Sequence, residues 1–192
     1  MTIITIIPLQ GIDIAGVGRI DLGQSIFELK KYLGLPGEHS DNRRLVYPDY
    51  ECTISFDQSK TVEFIEFISG PFPQRIQLSL YGIDPFQVGA DNLVALLSER
   101  NAGPVDDSGA GYCYSFLNIS VGIWRQGTEE DLQEWVEEKK ENGEYEIDRT
   151  WIEEEVAKSK NFWTIGIGKP GYYTRSRDGE NDLPGITIQW PM

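Results

Sequence analysis

Three alternating apolar runs between residues 51 and 80 constrain this chain more than any other feature. A period of two demands pleated strands with at least one face buried. In residues 51–57, Cys52, Ile54 and Phe56 share a side. Asp57-Gln-Ser-Lys60 has turn chemistry, and residues 61–68 are rich in β-branched and aromatic types, so the two runs are expected to close a hairpin. In the second run Val62, Phe64 and Ile68 oppose Ile65 and Phe67, with Glu63 and Glu66 interrupting. Apolar side chains on both faces mark a central, doubly covered strand. Ser69-Gly-Pro-Phe-Pro73 breaks the pattern before Ile76, Leu78 and Leu80 alternate in a third strand. Strands in direct succession favour an antiparallel meander over a parallel sheet.

Further strands are expected at residues 3–7, which are too short and too β-branched for a signal segment, and around Tyr112, Tyr114 and Phe116. Ile119, Val121 and Ile123, then residues 162–168 and 185–190, read the same way. Two helices punctuate them. Ser25 and Glu28 have capping-box spacing, Ile26, Leu29 and Leu33 share a face, and Gly34 with Pro36 supplies the stop. The glycines at 16, 18 and 23 do not make a phosphate loop: Asp21 stands where a dinucleotide fingerprint needs its third Gly, and no Gly-Lys-Ser/Thr follows. Asp84-Pro85 suits a helix entrance for Leu93, Leu96, Leu97 and Arg100, ended by Gly103-Pro104.

Leu22-Gly23, a helix, then Leu33-Gly34-x-Pro36 ahead of a strand-rich segment resembles the local motif of small outer-membrane assembly lipoproteins and of β-lactamase-inhibitor-like domains. The likeness covers about 45 residues, and the chain carries neither the lipoprotein signal nor its cysteine. It implies short helices against an antiparallel sheet in a protein that binds other proteins. The fold class expected is therefore α+β, a single domain over residues 1–192 built on a mainly antiparallel sheet.

The charge is concentrated in one place. Residues 129–155 hold 13 acidic and 3 basic side chains, a net −10 of the chain's −14. Thr128 and Asp131 have capping-box spacing, Leu132, Trp135 and Val136 form a one-sided stripe, and Asn142-Gly143 ends the helix. A second helix is expected from about Asp148, carrying Trp151, Ile152 and Val156. Together they form an acidic helical hairpin over residues 128–160, docked on the sheet by its two tryptophans. Glu130/Glu134, Glu134/Glu138 and Glu137/Glu141 are like-charge pairs four apart, each costing about 0.2–0.5 kcal/mol in isolated helices. The remaining 18 acidic and 14 basic residues are too balanced to make a second pole.

Catalytic and metal-binding patterns are weak. His39 is the single histidine, so a His-rich metal site is impossible, and no Gly-x-Ser-x-Gly elbow marks a nucleophile. Asp106-Asp-Ser-Gly109 reads as turn chemistry. Asp178, Glu180 and Asp182 mimic the first ligands of a calcium loop, but Leu183 and Gln189 stand where Gly and Glu are needed. Cys52 and Cys113 lie in apolar alternating runs and read as core thiols. No metal, no cofactor and no enzymatic activity are expected.

A sequence pI near 4.4 disfavours the phosphate backbone of nucleic acid, and no run approaches a membrane span, so a cytoplasmic protein is expected. Small acidic α+β proteins without a catalytic signature resemble the immunity proteins of bacterial polymorphic toxin systems. That resemblance, of composition and architecture, implies direct binding of a basic toxin domain. The surface expected to bind a basic protein partner is formed by Glu134, Glu137, Glu138 and Glu141. The alternative is a small-molecule or peptide-binding domain, or a cryptic hydrolase, using the sheet and the loop at residues 172–182.

Overall fold

The computed structural model of the protein describes residues 1–174. The calcium-like residues Asp178–Asp182, the expected strand at 185–190 and most of the 172–182 loop lie outside them. In chain order the elements are β1 (Thr2–Ile7), β2 (Gly11–Ile14), β3 (Gly18–Asp21), α1 (Ile26–Leu33), β4 (Arg44–Tyr47), β5 (Cys52–Phe56), β6 (Val62–Phe67) and β7 (Ile76–Leu80). Then follow α2 (Ala90–Asn101), β8 (Val105–Asp106), β9 (Cys113–Phe116), β10 (Val121–Trp124), α3 (Glu129–Glu141), α4 (Tyr145–Ser159) and β11 (Thr164–Gly168). The strands form a four-stranded sheet, β3-β2-β1-β7, and a seven-stranded sheet, β4-β5-β6-β11-β10-β9-β8. This is the α+β architecture expected.

The meander expectation holds for two strands and fails at the third. β5 and β6 pair as an antiparallel hairpin, but β7 crosses to the other sheet and pairs parallel with β1, Ile4 opposite Leu78 and Ile6 opposite Leu80. The reason lies in burial. The free edge of β6 is taken by β11, while β7 beside β1 buries Ile76, Leu78 and Leu80 completely. The redirected chain is held by Glu51, whose Oε1 accepts from the Gln74 and Arg75 backbone N–H groups at 2.9 and 3.1 Å.

Across the larger sheet, Ile54, Ile65, Ile167, Val121 and Phe116 line up in one row, and Cys52, Phe67, Ile165, Ile123 and Tyr114 in the next. These rows face the core. A register shift between Ser55 and Phe56 brings Val62 to the buried face, so β6 does not keep strict alternation along its length. The opposite face carries Thr53, Glu66, Gly166, Gly122, Ser115 and Asp106 in register. Leu29 and Leu33 of α1 and Leu93 and Leu97 of α2 join residues of both sheets in one contiguous cluster.

The first helix is built as its residues require: Ser25 and Glu28 form the capping box, and Gly34 ends α1 at φ +75°. The second starts later than expected. Asp84 caps only a single turn, accepting from Phe86 N–H at 3.0 Å, and α2 begins after Gly89, whose extended backbone (ψ 148°) interrupts the helix. The cysteines also divide. Cys52 is buried, whereas Cys113 is exposed, because it has the opposite parity to Tyr114 and Phe116 and so points away from the core.

Candidate partner-binding surface

The acidic hairpin starts from a complete capping box. Thr128 Oγ1 accepts from Asp131 N–H at 3.2 Å, and Asp131 Oδ2 accepts from Thr128 N–H at 2.7 Å. The bond from the Thr128 backbone N–H first, and then that from the Thr128 hydroxyl to the same Oδ2 at 2.7 Å, hold the Asp131 carboxyl below the usual carboxylate range. Tyr112 donates its hydroxyl to Asp131 Oδ1 at 2.9 Å, which ties the helix entrance to the sheet. Gly143, at φ +72°, takes the left-handed turn that joins the two helices. α4 begins at Tyr145, three residues before Asp148; at Asp148 the backbone departs from helical geometry (φ −108°, ψ 15°) and the helix bends.

The docking differs from expectation. Trp135 and Trp151 do not anchor the hairpin to the sheet; they pack edge to face on each other, 5.2 Å between centroids, and so join α3 to α4. The tie to the sheet is Arg125; Ile152 is 0% exposed but lies outside the core cluster that joins the two sheets. Full burial of one Ile side chain is worth about 1.5–3 kcal/mol. Arg125 Nε donates to Gly111 O at 2.6 Å and Nη1 to Ser159 O at 2.8 Å, with the guanidinium 5.2 Å from the Phe162 ring centroid. A cation on a carbonyl at the end of α4 meets the negative end of the helix dipole. Lys160 O accepts from Ala90 N–H at 2.9 Å, which joins the hairpin to α2.

That arrangement leaves α3 without a fully buried residue. Leu132, Trp135 and Val136 are half-buried, Trp151 is 53% exposed and Ile147, one turn before it, is 81% exposed. The inner stripe expected from the sequence is thus partly a surface.

Glu134, Glu137, Glu138 and Glu141 are all exposed and lie within about 100° of one another around α3, opposite the Leu132/Trp135/Val136 stripe. The structure therefore brings all four onto one face. None forms an ion pair among the described residues. The acidic residues of α4 differ: Arg149 pairs with Glu153 at 2.8 Å, Lys158 with Glu155 at 2.7 Å, and Lys139 of α3 reaches Glu144. Lys139, Arg149 and Lys158 are thus paired in or beside α4, while the four glutamates on the outer face of α3 have no ion pair among the described residues.

Other candidate groups resolve differently. His39 sits exposed in the loop before β4. Asp106 Oδ1 accepts from Ser108 N–H at 3.2 Å, the turn bond expected of that loop. Among the described residues no group of three or more His, Cys, Asp or Glu converges as a metal site, and no helix is long and apolar enough to cross a membrane.

Sequence reasoning missed one cluster on the outer face of the larger sheet. Phe64 stacks on Tyr172 (4.5 Å, 4°), and the Tyr173 ring lies edge-on to both over Gly122 and Gly166. Burial pushes both tyrosines above the usual range, Tyr173 well above it. Glu66 shares that face; burial raises its carboxyl above the usual range, partly offset by the charge of Arg44. The signal was the shared parity of Phe64 and Glu66 opposite a file of glycines. At the end of β11, Lys169 Nζ bonds Asp57 Oδ2 at 2.6 Å and Thr61 Oγ1 at 2.7 Å, tying the β5–β6 turn to the last described strand. No protein-family model, curated protein or solved structure matches this chain.

Proposed function

We propose that this protein binds a basic protein partner through the outer face of the α3–α4 hairpin, acting in the cytoplasm as an immunity-type protein that neutralises a basic toxin domain by direct binding. One observation carries this: Glu134, Glu137, Glu138 and Glu141 share an exposed face without an ionic partner among the described residues. Their mutual repulsion costs the free protein stability, and a cationic partner relieves it. Facing potentials of opposite sign speed encounter and exclude wrong partners. Trp151 and Ile147 on the same hairpin add apolar contact area, of the kind from which interfaces draw their hot spots. No catalytic role is assigned to any residue.

The test uses the protein encoded immediately upstream of this chain's gene, purified and titrated by surface plasmon resonance at low and moderate salt. With all four glutamates changed to Lys, association is expected to slow by at least about tenfold and its salt dependence to flatten. Unchanged affinity and salt dependence would remove the surface assignment. An upstream product without a basic domain and without affinity would remove the immunity reading.

A further inference from the structure

Folding gathers on one flank cations that lie scattered along the sequence. Ile26 N–H donates to Lys60 O at 3.1 Å, which sets the first turn of α1 against the β5–β6 turn. Lys60 Nζ donates to Asn42 O at 2.6 Å, and Phe56 N–H donates to Arg43 O at 2.9 Å, which brings the start of β4 to the same place. Lys30 and Lys31 follow Phe27 at i+3 and i+4, so the three share one face of α1. Lys30, Lys31, Arg43 and Lys60 are all exposed, and none has an ion pair among the described residues. By contrast Arg19, Arg75, Lys139, Arg149, Lys158 and Lys169 each pair with a carboxylate. Of the carboxylates on this flank, Glu28 closes the α1 capping box, Asp41 accepts from the Arg43 and Arg44 N–H groups, and Asp57 is bound by Lys169. Glu38 stays exposed in the loop.

Large apolar side chains stand among these cations. Phe27 is 76% exposed in the first turn of α1, and Leu35, just past its end, is 93% exposed. Such groups in water beside unpaired lysines fit a partner that is anionic and partly apolar. The acidic hairpin has those properties: Glu134, Glu137, Glu138 and Glu141 are exposed without ion pairs among the described residues, and Ile147 and Trp151 are exposed on the same hairpin. We propose that the protein associates with itself, the cationic and apolar face of α1 in one copy docking on the α3–α4 hairpin of a second copy. Each surface supplies what the other lacks: cations for the glutamates, and cover for the exposed apolar groups. Each copy carries −14 overall, but at 0.15 M salt the screening length is roughly 8 Å, so facing patches outweigh distant charges. The contact covers the glutamates that a basic partner would use, so self-association and partner binding exclude each other. It does not require that such a partner exist.

The test is sedimentation equilibrium of the full chain at physiological ionic strength, from micromolar toward millimolar concentration. The weight-average mass is expected to rise with concentration above the 21.8 kDa of one chain. Near 1 M salt, where the screening length is roughly 3 Å, it should fall back toward that value. Lys30→Glu with Lys31→Glu is expected to stay monomeric, and so is the variant with all four glutamates changed to Lys. Mixed in equal amounts, the two variants face each other with opposite charges again and are expected to re-associate. Circular dichroism of each alone checks that it folds. A wild-type chain that remains monomeric throughout would overturn the proposal, as would association unchanged in both variants or a mixture of folded variants that stays at one chain's mass. A monomeric wild type that instead co-sediments with phosphatidylserine vesicles, and loses this with Lys30→Glu and Lys31→Glu, would assign the cationic face to a lipid surface and overturn it equally.

Discussion

Replacing Glu134, Glu137, Glu138 and Glu141 by Gln should stabilise the free protein. The substitution keeps size and helix propensity nearly constant, so it changes charge and little else. It removes the pairs Glu130/Glu134, Glu134/Glu138 and Glu137/Glu141, and none of the four has an ion pair to lose among the described residues. Three such pairs are worth together about 1 kcal/mol. Glu137, Glu138 and Glu141 also lie toward the negative end of the helix dipole, which acts in the same direction. In urea titration followed by tryptophan fluorescence, that gain raises the midpoint by about 0.5 M, given typical slopes for a chain of this size. Trp135 and Trp151 report on the hairpin itself. Near 1 M salt, where the screening length falls to roughly 3 Å, most of the difference should vanish. A lowered midpoint, or a gain indifferent to salt, would refute the argument, since it would mean that these carboxylates make contacts the free protein needs.

Three further outcomes follow from the sheet. A Cβ at Gly122 would fall on the hydroxyl end of Tyr173, so Gly122→Ala should cost about 1–3 kcal/mol, measured as a lowered Tm and partly recovered in combination with Tyr173→Phe. Burial alone would raise the Asp57 carboxyl, but bonds from Lys169 and from the Thr61 backbone and hydroxyl, with the Lys169 charge, hold it well below the usual range. A depressed folded pKa contributes stability above the unfolded value near 3.9 that is lost as pH falls toward the folded one, so the Tm gap between wild type and Asp57→Asn should be widest above about pH 5 and narrow progressively as pH falls from about pH 4 toward the folded pKa. Glu66 is the opposite case: its raised folded pKa favours the protonated form, so Glu66→Gln should raise Tm at neutral pH and lose that advantage below about pH 4.

Much of the local structure was legible from contiguous residues. The Ser25/Glu28 and Thr128/Asp131 boxes formed as their spacing required, and the β5–β6 hairpin closed over the Asp57–Lys60 turn. Of the candidate surface, the four glutamates and their common face could be read from helical periodicity alone. What could not be read was which apolar residues of the hairpin are fully buried. Leu132, Trp135, Val136, Trp151 and Ile152 look alike as a stripe, yet among them Ile152 alone is fully buried. Arg125, two elements away from α4 in the chain, became an anchor because folding brought it to the carbonyl of Ser159.

The sequence by itself determined the elements whose energetics are local: helix caps, strand parity, tight turns and the sign of the charge on α3. Even the exposure of Cys113 was implicit in its parity with Tyr114 and Phe116. Only the tertiary structure decided that β7 leaves the meander for β1, that β11 is inserted between β6 and β10, and that Tyr172 and Tyr173 lie over the glycines of the outer face. The physical reason is common to all three. A period of two says that a strand has a face to bury, but its partner is chosen by whichever edge buries that face most completely, and that edge belongs to residues far away in the chain.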